Sequence, residues 1–208
     1  MDIGYLDIVV APWRSSGNHC VRCENFNYLS EKIDFRSRLL LFMLIFFLIV
    51  PLLLPAQSIK PTNPIQFKIK NAGIIVDGTI SDWEVMVDFD PKKLAQSSIR
   101  GKANPESIQT GIKLRDKHLH GREYFHIQKF PFISLESKSL RSNGKNAFIG
   151  IFELQIRDVK REIEIPFTLT QTGKQQKFKG EFTIDRLDYG LGEKSLVLSD
   201  EVKVVIEF

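Results

Sequence analysis

The chain has 208 residues, 43% of them hydrophobic and 26% charged, with a formal net charge of +4. That balance excludes a disordered tail, a collagen-like repeat and a multi-span membrane protein, and it predicts one domain as the simplest organisation. Sixteen Phe against two Cys exclude a disulfide-dense secreted scaffold, so the interior has to be built from apolar side chains.

Residues 1–38 show no sustained period of 3.6 or 2 and are too few to bury a core, so they are expected to form an N-terminal extension, or to reflect a misassigned start with true initiation nearer Leu29. His19, Cys20 and Cys23 supply half of a zinc or redox motif without its second half, and no metal is expected there. Residues 39–54 (LLLFMLIFFLIVPLLL) then run without a charged or polar side chain. Arg36 and Arg38 stand directly before this run and Pro55-Ala56-Gln57 directly after it, giving the basic, apolar and cleavage regions of an export signal over 39–56. The run also falls short of the roughly 20 residues that a helical span needs, which favours a cleaved signal peptide over a retained N-terminal anchor. Cutting after Ala56 leaves residues 57–208, a cysteine-free domain expected to be periplasmic or secreted.

Within 57–208 apolar residues alternate with polar ones, the pattern of half-buried antiparallel strands. Ile65, Phe67 and Ile69 alternate with Gln66, Lys68 and Lys70, and Trp83, Val85, Val87 and Phe89 alternate with Glu84, Met86, Asp88 and Asp90. Further strands are expected at 73–80, 97–103, 106–112, 132–140 and 147–156, and 113–127 breaks the alternation as a short helix or a long loop. Ile163, Ile165, Phe167 and Leu169 share a face; so do Phe178, Gly180, Phe182 and Ile184, and then Val202, Val204, Ile206 and Phe208. Asn143-Gly144, Arg157-Asp158 and Gly173 carry turn chemistry, and Pro166 is expected at a strand edge or bulge. Strands of this number and spacing suit a sandwich or an antiparallel barrel, while the charged outer faces exclude a membrane-spanning barrel. Eight strands would enclose either a solid core or one small ligand, and alternation alone does not separate the two.

Several stretches in this order resemble the YceI-like family of polyisoprenoid-binding proteins: FKIKNAG at 67–73, DFDPKKLAQSSI at 88–99, SIQTGIKLRDKHL at 107–119, EYFHIQKFPFISLESKSL at 123–140, LQIRDVKREI at 154–163, IDRLDYGLG at 184–192 and SDEVKVVIEF at 199–208. The resemblance implies an exported, all-β, lipocalin-like antiparallel barrel of eight strands with one or two short helices. It also implies an elongated cavity that holds a long apolar chain.

The inward-reading aromatics Trp83, Phe89, Phe125, Phe132, Phe167 and Phe182, with Gly180 among them, are the expected ligand-binding positions. Arg115, Asp116 and His118 are expected at the cavity mouth. Beside them Lys113, Lys117 and Arg122 form either a site for a phosphate or carboxylate head group or a solvated basic loop. His118, His120 and His126 lack a completing carboxylate or Cys spacing, so no metal and no cofactor are expected. With no G-x-S-x-G elbow and no Cys in 57–208, no catalysis is expected either. The expected function is a non-enzymatic carrier of a long-chain lipid or isoprenoid, in transient contact with a membrane and not with nucleic acid. A filled-barrel structural or interaction domain of the cell envelope is the alternative.

Overall fold

The computed structural model describes residues 58–173 and 175–208. The N-terminal extension, the signal or anchor segment and the Cys20/Cys23 pair lie outside the described residues.

Among the described residues, period-two alternation is realised as ten strands: β1 (Ile65–Asn71), β2 (Ile74–Ile80), β3 (Trp83–Asp88), β4 (Ser98–Ala103), β5 (Ile108–Gln109), β6 (Ile133–Ser142), β7 (Ala147–Ile156), β8 (Val159–Thr172), β9 (Gln175–Asp185) and β10 (Leu198–Glu207). They form one curled antiparallel sheet in the order β3-β4-β6-β7-β8-β9-β10-β1-β2-β5. The lipocalin-like antiparallel class expected from the sequence is the observed one, with ten strands in place of eight. Hairpins keep sequential strands adjacent, because a right-twisted antiparallel sheet curls on itself through such turns.

The two ends of the hydrogen-bonded order, β3 and β5, are joined by turns rather than by a ladder. Asn104 N donates to Asp82 O at 2.9 Å, Asp82 N to Ser107 Oγ at 2.9 Å, and Asn104 Nδ2 to Asp82 Oδ2 at 3.1 Å. Ile59 adds a single bridge along β3 by exchanging two hydrogen bonds with Val85, and the Trp83 indole donates to Asn63 O at 2.9 Å.

Two local expectations need correction, and a third, the short helix or long loop at 113–127, is met. The strand foreseen at 106–112 is a 3-10 turn, Pro105–Ser107, followed by only two paired residues. Pro105 has no N–H to give a ladder, and the Asn104 side chain instead accepts from Glu106 N at 3.0 Å. Pro166 lies inside β8, opposite Ile149, with no bulge. The β8–β9 register begins only at Phe167, so Pro166 sits where the ladder on that side stops and no partner is lost. The break in alternation after residue 112 is a helix, α1 (Lys113–Leu119), followed by irregular backbone up to β6.

Candidate ligand cavity

The curled sheet has two differently built ends. At one, Phe89 stands just past β3 and packs edge-on against Phe148, Phe167 and Phe178, with ring centroids 5.0, 5.8 and 5.4 Å away. Phe208 stacks on Phe178 at 5.1 Å and meets Trp83 edge-on at 5.8 Å. Apolar rings in such offset and edge contacts fill space without leaving room for solvent, so this end is closed.

At the other end the β1–β2 and β7–β8 turns, the start of β10 and the end of β9 come together, and α1 with its following segment lies across them. Gly192 N donates to Glu123 O at 2.7 Å, and the Arg157 guanidinium donates to Gly190 O at 2.6 Å. Between the two ends lies a cavity of about 310 Å³. Its lining runs along β10 from Leu198 to Phe208, which at ordinary strand rise and barrel tilt makes a tunnel about 25 Å long. The wall is almost wholly apolar, with residues such as Ile65, Ile80, Val202 and Val204 pointing inward.

The expected ligand-binding residues divide. Trp83, Phe125 and Phe182 line this cavity. Phe89 belongs to the aromatic plug instead, while Phe167 and Gly180 border a separate pocket of about 50 Å³ beside it. Gly180 packs against β8, where an added Cβ would meet Ile165 Cγ2 at 3.3 Å, Phe167 Cβ at 3.5 Å and Pro166 O at 3.6 Å, and it does not line the main tunnel. Phe132 is corrected outright. It is 47% exposed, with Lys102 Nζ 3.6 Å from its ring centre, because β6 starts at Ile133 and directs Ile133 and Leu135 inward. A one-residue phase error sends a side chain to the opposite face.

At the mouth, Arg115 and His118 border the cavity and Asp116 does not. Thr110 ties the pair together. Its N–H and hydroxyl donate to Asp116 Oδ1 at 2.9 and 2.5 Å, while Arg115 donates through Nε to the Thr110 hydroxyl and through Nη2 to its carbonyl, at 2.7 and 2.6 Å. Arg115 is thereby held with its charge at the cavity rim. The three histidines do not converge: His118 faces the cavity, His120 is half-buried, and His126 packs edge-on against Phe130 with centroids 5.8 Å apart.

Sequence reasoning missed two lining residues of consequence. The far end of the Phe67 ring lies over Gly78 of the neighbouring strand, where any side chain would collide with it. Arg186 is 2% exposed and lines the cavity. Its guanidinium donates to Ser199 O, Leu191 O and Asp200 Oδ1 at 2.9, 2.8 and 2.8 Å, the pairing that a buried cation requires. A signal for it existed, since Arg186 continues the alternation of Phe178, Gly180, Phe182 and Ile184.

A curled antiparallel sheet around one deep apolar cavity, with its few polar groups gathered at the rim, defines a small binding domain of the lipocalin-like class. The chain belongs to the YceI-like family: the model of the YceI-like domain matches residues 59–208. A UPF0312 protein of Yersinia pestis (strain Pestoides F) is 26% identical over 149 residues, covering 68% of this chain and 77% of the relative. Another UPF0312 protein, from Pseudomonas savastanoi pv. phaseolicola, is 27% identical over 134 residues, covering 61% and 70%. Among solved structures, BcnA of Burkholderia cenocepacia superposes with a TM-score of 0.67 at 23% identity, over 69% of this chain and 93% of that one. A polyisoprenoid-binding domain from Saccharophagus degradans superposes with a TM-score of 0.58 at 13% identity, over 73% and 95%.

Proposed function

We propose that residues 57–208 form a non-catalytic carrier that holds one long apolar chain, an isoprenoid or fatty-acid derivative, inside the barrel, and that it works outside the cytoplasm after export. The observation that carries this reading is the 310 Å³ apolar tunnel, closed by aromatic rings at one end and rimmed by polar groups at the other. Each methylene moved from water into such a lining contributes roughly 0.8 kcal/mol before ordering costs, so a chain of about ten carbons binds without a strong polar contact. The family membership supports the same reading, as does the polyisoprenoid-binding domain among the structural neighbours. Export is supported by the charge-free run that ends at a small residue before Gln57.

Extraction of the purified protein followed by mass spectrometry tests the proposal directly. The expected result is a stoichiometric long-chain lipid. Gly101 gives the matching variant: it lines the tunnel, and an added Cβ would have no neighbour nearer than Leu135 Cβ at 3.9 Å. Gly101→Phe should therefore grow into the tunnel, keep the fold and abolish lipid co-purification. If the unaltered protein carries no chain under any extraction, the filled-barrel reading replaces this one.

A further inference from the structure

Six of the eight large apolar side chains exposed among the described residues are Ile74, Ile75, Ile112, Leu114, Leu196 and Val197, between 53% and 106% exposed. All six gather at the mouth. Ile74 and Ile75 follow the β1–β2 turn, and Ala72 N donates to Val197 O at 2.7 Å, which joins that turn to the segment before β10. The chain leaves β5 antiparallel to β2 and heads for the same turn, so Ile112 and Leu114 begin α1 there. On α1, Arg115, His118 and Leu119 border the cavity, which leaves Lys113, Leu114 and Lys117 on the outward side.

The charges at this rim differ from those on the barrel wall. On the wall Lys68, Lys160, Lys177 and Lys203 are each paired with a carboxylate at 2.6 to 3.0 Å. At the rim Lys70, Lys113, Lys117, Arg122 and Lys194 are exposed and take part in none of the ion pairs among the described residues. Around the protruding aliphatics Glu123 and Glu193 are the exposed carboxylates, so cations are in excess on that side of the mouth; Asp158, Asp185 and Asp188, the last paired with Arg161 at 3.6 Å, are exposed on the side formed by the β7–β8 turn and the end of β9.

We propose that this rim is a docking surface for an anionic lipid bilayer, which the aliphatic side chains enter while the five cations meet headgroups, so that the tunnel opens onto the membrane. Protruding aliphatic residues interleaved with unpaired cations fit hydrocarbon beneath many negative charges, whereas a single protein partner would call for a shaped pocket and matched charges. The inference rests on the carrier reading above: a buried chain has to pass between bilayer and tunnel without crossing water.

The test uses residues 58–208, which contain the ten strands and the core cluster described above, so that the apolar run 39–54 does not itself bind vesicles. The BcnA neighbour supports their folding alone, since the superposed part makes up 93% of that solved chain. Flotation with phosphatidylcholine vesicles, with and without phosphatidylglycerol, should show binding only to the anionic ones, weakened by added salt. Lys113→Glu with Lys117→Glu should weaken it by more than about tenfold, each cation near such a surface being worth about fivefold. Ile75→Ser with Leu196→Ser should weaken it too, whereas Lys145→Glu in the β6–β7 turn at the plugged end should not. Absence of binding to anionic vesicles, or equal loss with Lys145→Glu, overturns the proposal. So does a purified dimer that the Ile75→Ser, Leu196→Ser pair converts to monomer, which would make the rim a self-interface. Lipid extraction from the same samples keeps the two readings apart: a chain-loaded protein that ignores vesicles sinks only the docking, and a vesicle-bound protein that never carries a chain sinks the carrier.

Discussion

Ala72 is held at φ 48° beside Gly73 at φ 84°, in the two-residue turn that joins Asn71 to Ile74. An L-residue with a Cβ disfavours that left-handed region by about 1–2 kcal/mol, and Asn tolerates it better. Ala72→Asn should therefore raise stability by about 0.5–1 kcal/mol, seen as a higher urea midpoint at unchanged m-value. Arg157, at φ 58°, is a different case, because its side chain reaches Gly190 O and fastens the β7–β8 turn to the mouth. Tyr189 is 2% exposed and its hydroxyl has no hydrogen-bond partner among the described residues. Burial, and secondarily the Asp188 charge, push its phenol up to about 12 from 10. The neutral phenol is the form the fold accommodates. Its contribution is complete below pH 10, where the unfolded chain also keeps the proton, and is lost as pH rises towards 12. Tyr189→Phe should be neutral or stabilising by up to about 1 kcal/mol at neutral pH, and should lose less stability than the parent in urea titrations across that alkaline window.

Strand existence was legible wherever one face is buried, as in β7 and in β9 from Phe178 to Ile184, because alternation records a two-sided environment. Strand phase and length were less so. Phe132 reads as inward because the apolar run 130–133 offers no polar marker of where β6 begins. The arm from Thr170 to Lys177 reads as a loop, being polar on both faces, yet its backbone continues the β8–β9 ladder through Thr170↔Lys177, Gln171↔Gln176 and Thr172↔Gln175. Pairing beyond the core needs no apolar face, so the sequence carries no trace of it. The same exposure predicts that the arm is dispensable. Replacing residues 170–177 by Asn-Gly, so that Leu169 and Phe178 flank a two-residue turn, removes exposed side chains and the Lys177–Glu207 pair. The cost should stay below about 1 kcal/mol by chemical denaturation, with the bound chain unchanged in mass spectrometry.

At the scale of the whole barrel, an apolar interior was readable from the sequence, but the division of that interior was not. Alternation marks every inward residue alike, whether it faces a void or another ring. The main tunnel and the 50 Å³ pocket share Ile99, Leu135, Phe182, Ile206 and Phe208, so these side chains form the partition between them. Beyond the partition stand Phe167 and Phe178, and then the plug. On the proposed carrier reading, the length of chain accepted is therefore set by the partition, since at the mouth excess length would protrude only into water or headgroups. Of the two aromatic rings in the partition, Phe208 stacks on Phe178 of the plug, whereas Phe182 is the larger side chain that can be cut back without touching the ring contacts of Phe89, Phe178 and Phe208. Phe182→Ala should cost about 3 kcal/mol in the ligand-free protein, as a cavity-forming change in a packed core, and should join the two spaces. Its extracted ligands should shift to longer chains than those of the parent protein expressed in the same cells. An unchanged chain-length distribution in a folded Phe182→Ala variant would place the stop elsewhere, at the Phe178–Phe208 stack, and Phe178→Ala would then produce the shift.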